Sequence, residues 1–116
     1  AAKALGPEEL ELFLERADRF RSDALAWFQP YDLLVAPVNA GPALPVGEIE
    51  DRIADFTYTM THNLTGWPSA VVRVGTSPEG LPIGVQFTAQ PWREDVALAG
   101  AAFAEKVFGG WQRPGL

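Results

Sequence analysis

The sequence contains no cysteine and a single histidine, His62, and both scarcities limit the chemistry that this chain can perform alone. Without cysteine there is no disulfide, no thiolate metal site and no cysteine nucleophile. Zinc and iron sites need several His, Cys or carboxylate ligands brought together, so we predict no metal and no cofactor. The lack of cysteine also fits a reducing compartment, and we expect a cytoplasmic protein.

Excess basic charge and long apolar runs are also missing. Lys and Arg total 9 against 15 Asp and Glu, which gives a net charge of -6. Nucleic acids and anionic membranes select basic patches, so we predict neither as a partner. No run approaches the roughly 18 apolar residues of a membrane-spanning helix. The 116 residues are 47% hydrophobic, which is enough to bury a core, and we predict a single domain over residues 1–116.

Apolar residues recur at helical spacing in three stretches. The first spans Pro7–Phe28, where a proline and several glutamates suit the first helical turn. The second spans residues 48–64, and its threonines, which are poor helix formers, predict an irregular second half. The third spans Glu94–Phe108, with small residues that allow close packing. The residues predicted to face inward on this helix are Val96, Gly100, Phe103 and Val107.

Three further stretches have strand patterns. Residues 33–36 form a continuous apolar run, which is typical of a strand buried on both faces of a parallel sheet. Residues 69–74 and 83–89 flank a turn-rich segment and predict a β-hairpin. The predicted order is α-β-α-β-β-α, an α/β class with an incomplete three-stranded mixed sheet packed by about three helices. Because such a sheet leaves unpaired edges, we also predict self-association.

The candidates for nucleophilic catalysis are few. The serines are Ser22, Ser69 and Ser77, and none lies in a G-x-S-x-G elbow. Ser69 is the serine closest to His62 in the sequence, but no third group is available to orient the histidine. A hydrogen-bonded packing role is therefore the favoured interpretation of His62, and a small hydrolase built around it stays as an alternative.

Three sequence blocks, taken in order, resemble the C-terminal part of the amidase signature family. They are YDLLVAP at residues 31–37, NLTGWPSA at residues 63–70 and GLPIGVQ at residues 80–86. They are similar to the family's strand end, its Asn-Gly-Pro corner and its G-L-P-x-G-x-Q strand. The resemblance implies a C-terminal fragment, about the last quarter of a larger amidase signature α/β fold.

The family hydrolyses carbon–nitrogen amide bonds with a Ser–cis-Ser–Lys triad. This chain has no adjacent serine pair and no Gly/Ser-rich run, so the resemblance places no catalytic residue in it. We therefore expect an amide substrate for the full-length parent and no activity from the isolated fragment. An alternative is a free-standing, non-enzymatic binding or oligomerisation module.

The resemblance implies two structural roles within this chain. One set of residues would form a wall of the substrate pocket: Tyr58, Thr59, Thr61 and His62. A second set would form the corner between a helix and a strand: Asn63, Gly66 and Pro68.

Overall fold

The computed structural model describes residues 4–113, which form two compact units divided between Pro30 and Tyr31. The first unit contains helix α1, Pro7–Phe28, with the bounds that its periodicity predicts. Pro7 lies in the first turn, where its missing N–H costs no hydrogen bond. The Gly6 N–H donates to Glu9 Oε2 at 3.0 Å, so this carboxylate satisfies a backbone group at the helix start.

The second unit contains a three-stranded sheet and the remaining helices. The strands are β1 (Leu33–Pro37), β2 (Ser69–Thr76) and β3 (Pro82–Ala89). A 3₁₀ helix, Glu50–Phe56, leads directly into α2, Thr57–Thr65, and α3 spans Glu94–Phe108. The predicted α/β class, with three α-helices and a three-stranded sheet, is confirmed. None of the helices in residues 4–113 is long and apolar enough to cross a membrane.

The sheet has the order β1-β3-β2, and both pairings are antiparallel. The predicted β2–β3 hairpin is confirmed, whereas the mixed sheet and the doubly buried first strand are wrong. Strand β1 lies at an edge with β3 as its one neighbour, and 55% of Val35 is exposed. A short apolar run does not reveal how many neighbours a strand has, which explains the error.

Helix α3 packs closely on one face of the sheet through its small residues. The core of this contact contains Phe87, Ala101 and Ala104. A Cβ placed on Gly100 would lie 2.6 Å from Leu33 Cδ2 and 3.0 Å from Phe87 Cδ1, so only glycine permits this approach. The predicted inward face of α3 is partly wrong, because Phe103 is 72% exposed.

The inward positions of α3 belong instead to alanines. Ala97, Ala101 and Ala104 are buried, while Val107 is 57% exposed. A helix placed near a sheet buries whichever stripe allows the shortest distance between backbones, and alanine allows a shorter one than phenylalanine. Hydrophobicity alone therefore predicted the wrong face of this helix.

The segment before β2 is irregular in its first half rather than its second. Arg52, with φ -123° and ψ 27°, interrupts the 3₁₀ helix. The threonines lie within regular α2, where Thr57 Oγ1 donates to the Ala54 carbonyl at 2.9 Å and Thr59 Oγ1 to the Phe56 carbonyl at 3.0 Å. These hydroxyls donate hydrogen bonds to carbonyls of the preceding turn. Such bonds explain how threonines, which are poor helix formers, are accommodated in this helix.

Candidate functional site

A cleft of about 930 Å³ lies beside the sheet, on the side where the loop after β1 passes the ends of β2 and β3. Its walls come from four parts of the chain: residues 37–43, Tyr58 of α2, the middle of β2, and residues 77–78 and 82–85 on the two sides of the hairpin turn. Most of the lining is apolar. Such a concave, mainly apolar surface with a few polar groups is typical of a site for a small organic ligand.

Gly84 allows two walls of the cleft to approach each other. A Cβ at this position would lie 3.2 Å from Val38 Cγ2 and 3.4 Å from Val71 Cγ1. The Val38 N–H also reaches the Gly84 carbonyl at 3.4 Å, which continues the β1–β3 ladder into the loop. A glycine within a strand is typical of such a close approach by another part of the chain.

Gln86 joins two of the walls through a single side-chain amide. It is 2% exposed, and its Nε2 donates to the carbonyls of Pro37 and Tyr58, each at 3.0 Å. Both acceptors belong to residues that line the cleft. Because the amide group is planar and both of its N–H groups are used, Gln86 fixes the position of α2 relative to the loop after β1.

Two further polar side chains border the cleft. Arg73 is half-buried, and its Nη1 donates to the Gly110 carbonyl at 3.2 Å. Asn39 lies opposite the strands in the loop after β1, and its Oδ1 is buried without a hydrogen-bond partner among residues 4–113. A buried acceptor without a partner costs free energy, so a ligand that donates a hydrogen bond to Asn39 would recover it.

The predicted pocket-wall residues occupy different places. Tyr58 lines the cleft. Thr59, Thr61 and His62 are not among the cleft-lining residues: Thr59 bonds within its helix, and Thr61 is exposed. The structure therefore brings one of the four residues to the cleft.

His62 belongs to a chain of hydrogen bonds behind the hairpin. Its Nε2 lies 3.4 Å from Thr88 Oγ1, which in turn lies 2.7 Å from Ser69 Oγ. Burial lowers the pKa of His62 from its ordinary value, so the imidazole is neutral near pH 7. Its Nδ1 is buried and has no hydrogen-bond partner in the part of the chain that the structure describes.

This arrangement does not form a nucleophile–base pair that a substrate could reach. Thr88 separates Ser69 from His62, and Thr88 itself is completely buried. A nucleophile has to contact both its base and the substrate. The group of Ser69, Thr88 and His62 therefore stabilises the packing of α2 on the hairpin.

Two of the three residues predicted to form the corner, Gly66 and Pro68, lie in the turn after α2. Gly66 ends the helix with a left-handed φ of 72°, and its N–H donates to the His62 carbonyl at 2.8 Å. The Pro68 carbonyl accepts the Ala89 N–H at 3.0 Å, which fixes the start of β2 against the end of β3. Asn63 is exposed on α2.

No group of three or more His, Cys, Asp or Glu residues within residues 4–113 is arranged to hold a metal ion. The cleft is mainly apolar with a few polar groups, which suits an organic ligand better than a metal ion. Sequence reasoning missed Asn39, Arg73 and Gln86 as residues of this site. The sequence contained one clue, the polar residues that alternate with apolar ones along β3.

A family model described as Amidase matches residues 6–98. Among curated proteins, the chain is 39% identical over 101 residues to a glutamyl-tRNA(Gln) amidotransferase subunit from Thermus thermophilus, covering 81% of this chain and 21% of that protein. It is 44% identical over 61 residues to fatty-acid amide hydrolase 2-A of Danio rerio, covering 53% of this chain and 12% of that protein.

A solved structure has the same fold as this chain. The 6-aminohexanoate cyclic dimer hydrolase, complexed with substrate, superposes with a TM-score of 0.87 over 96% of this chain at 23% identity. The chain corresponds to 27% of that protein. It thus spans about a quarter or less of the length of these relatives.

Proposed function

The chain belongs to the amidase family, and we propose that it is the C-terminal region of an enzyme that hydrolyses a carbon–nitrogen amide bond. The observation that carries the proposal is the family match over residues 6–98. Two of its relatives are an amidotransferase subunit and a fatty-acid amide hydrolase, and both names refer to an amide group. The chemistry itself would be serine acyl transfer by a Ser–cis-Ser–Lys triad in the rest of the parent protein.

The role we propose for this chain is to form part of the substrate pocket. The cleft of about 930 Å³ supports this role, because its apolar walls suit the acyl part of an amide. Tyr58 contributes directly to the cleft. His62 would act from outside the cleft, by holding α2 against β3 through Thr88.

An assay of ammonia release tests the proposal. The 116-residue chain and the full reading frame that encodes it are each incubated with short and long aliphatic primary amides. We expect turnover by the full-length protein and none by the isolated chain, since residues 4–113 contain no accessible nucleophile beside a base. Turnover by the isolated chain would contradict the expectation that it is inactive. No turnover by the full-length protein would argue against the proposed amidase activity.

We also propose that the isolated chain self-associates. Large apolar side chains are exposed on several elements of the second unit, among them Val71, Phe103 and Trp111. In a monomer, exposed apolar surface is normally limited, and larger patches mark contacts with other protein. This proposal concerns the chain alone and does not depend on the activity of the parent.

A further inference from the structure

Within residues 4–113, Arg73 has no acidic partner, in contrast to Arg21, Arg52 and Arg93. Arg21 pairs with Asp18 at 2.7 Å, and Arg93 pairs with Asp95 at 3.0 Å. No carboxylate among residues 4–113 forms an ion pair with Arg73. The chain has 15 acidic and only 9 basic side chains, so a half-buried cation without an ion pair is unexpected here.

Arg73 also lies in a mainly apolar part of the structure. It is the one charged side chain among the described residues that line the cleft, and its neighbours there include Val38, Val71 and Ile83. Apolar walls lower the local dielectric constant and strengthen the attraction between a guanidinium and an anion. They also offer contact surface to an aliphatic chain attached to that anion.

The guanidinium of Arg73 has N–H groups that remain available to a ligand. Its Nη1 donates to the Gly110 carbonyl at 3.2 Å, and its Nη2 donates to Thr76 Oγ1. These two bonds orient the planar group but leave further N–H groups for a ligand, because a guanidinium carries more donors than they use. Both acceptors are neutral, so neither of them compensates the positive charge of Arg73.

We infer that the cleft binds a carboxylate-bearing ligand, with the carboxylate on Arg73 and an aliphatic chain along the apolar walls. A planar guanidinium suits a carboxylate, which can accept two of its N–H groups at once. As a claim about substrate, the inference rests on the proposed function and makes the preferred substrate an amide with a second, anionic end. As a claim about binding, it concerns this chain alone.

The test compares two probes of the same shape. Hexanoate and its neutral isostere hexanamide are titrated into the ¹⁵N-labelled 116-residue chain, and the amide resonances are followed by NMR. We expect saturable shifts at Ala40, Val71 and Gly84 with hexanoate, and at least about tenfold weaker binding of hexanamide, because charge-assisted hydrogen bonds are stronger than neutral ones. Binding of hexanoate should also weaken as salt is added.

Variants test whether the preference for hexanoate depends on the Arg73 side chain. Arg73→Gln should reduce the affinity for hexanoate to that for hexanamide, whereas Arg73→Lys should keep part of the difference. Arg19→Gln removes the same charge from an exposed helix position outside the cleft and should change nothing. If Arg73→Gln fails to fold, the affinities of the unaltered chain for hexanoate and hexanamide still show whether the cleft prefers a carboxylate.

Several outcomes would overturn the inference: equal affinities for the two probes, no saturable shifts, or shifts outside the cleft. A separate measurement addresses the substrate. The full-length protein is assayed with hexanamide and with adipamate, which carries a carboxylate at its far end, and we expect the higher kcat/KM for adipamate. Binding of hexanoate without any amide turnover would support the site and contradict the proposed function. Turnover of hexanamide alone would contradict the substrate preference.

Discussion

Among single residues, Gln86 contributes most directly to the shape of the cleft. One buried side chain holds the carbonyls of Pro37 and Tyr58, which belong to segments far apart in sequence. Residues i and i+2 of a strand lie on the same face, so the strand pattern of β3 puts Gln86 and Thr88 on one face. It did not predict that this face is buried, because the loop and helix that cover it come from elsewhere in the chain.

Substitution of Gln86 by Leu should lower the free energy of unfolding by about 1–3 kcal/mol, because the Pro37 and Tyr58 carbonyls lose their part-buried hydrogen bonds to this side chain. Gln86→Glu should cost at least as much, since it places a carboxyl oxygen against a carbonyl. The matched control is Gln90→Leu, which removes a similar but solvent-exposed bond to the Tyr31 carbonyl and should cost less than about 1 kcal/mol. Urea denaturation measures all three, and equal losses for Gln86→Leu and Gln90→Leu would contradict the role of burial.

His62 should make the stability of the chain depend on pH. Burial lowers the pKa of His62 in the folded state, so the unfolded chain binds a proton first as the pH falls. Stability should therefore be full above the unfolded pKa of about 6.5 and decrease as the pH falls from there toward the lowered folded pKa. Denaturation between pH 7.5 and pH 5, with His62→Gln as the control, measures this loss.

The imidazole resonances of the only histidine give an independent check by NMR. A folded-state pKa at or above the ordinary value would contradict the expected direction of the shift. So would a His62→Gln variant that loses as much stability as the unaltered chain between pH 7.5 and pH 5. Carboxylates titrate mainly below this range, so they contribute little to the comparison.

At the scale of elements, the ends of helices were more predictable than the faces they bury. Pro7 and Gly109 mark ends that depend on local backbone chemistry, and α1 and α3 have the predicted bounds. The buried face of α3 and the edge position of β1 depend on neighbours, which the local pattern does not contain. Phe103 and Val35 are the residues at which this difference is clearest, since both are more than half exposed.

Substitution of Gly100 by Val tests the close packing of α3 on the sheet. The first added carbon would lie 2.6 Å from Leu33 Cδ2 and 3.0 Å from Phe87 Cδ1, so these side chains or the helix itself have to shift. We expect a loss of about 2–3 kcal/mol, which is typical of overpacking. Ala99→Val on the exposed side of the same helix should cost only about 0.5 kcal/mol of helix propensity. Thermal or urea denaturation compares them, and similar losses would mean that α3 does not need glycine here.

For the whole molecule, the cleft is the feature that sequence reasoning could not assemble. Residues 37–43, Tyr58, Arg73 and residues 77–78 and 82–85 come together only through the order β1-β3-β2. The resemblance to the amidase family directed attention to the segment before Asn63, from which only Tyr58 reaches the cleft. Arg73 and Asn39 gave no signal because their surroundings, not their sequence context, make them unusual.

The exposed apolar surface leads to a prediction about the whole chain in solution. Trp111 is 74% exposed and Phe103 72%, and within residues 4–113 β1 and β2 each have one strand neighbour. Unpaired strand edges and apolar side chains both favour association between copies. Sedimentation velocity over a hundredfold range of concentration should therefore show a shift from monomer to dimer or larger species.

Phe103→Lys and Trp111→Lys should weaken this association by at least about tenfold, because a charge would be buried at the contact. Trp92→Lys is the control, since Trp92 is 89% exposed but lies in the turn before α3 rather than on the helix or after it. A stable monomer at the highest concentration would contradict self-association. An equal effect of all three substitutions would mean that added charge, rather than a defined apolar surface, controls the assembly.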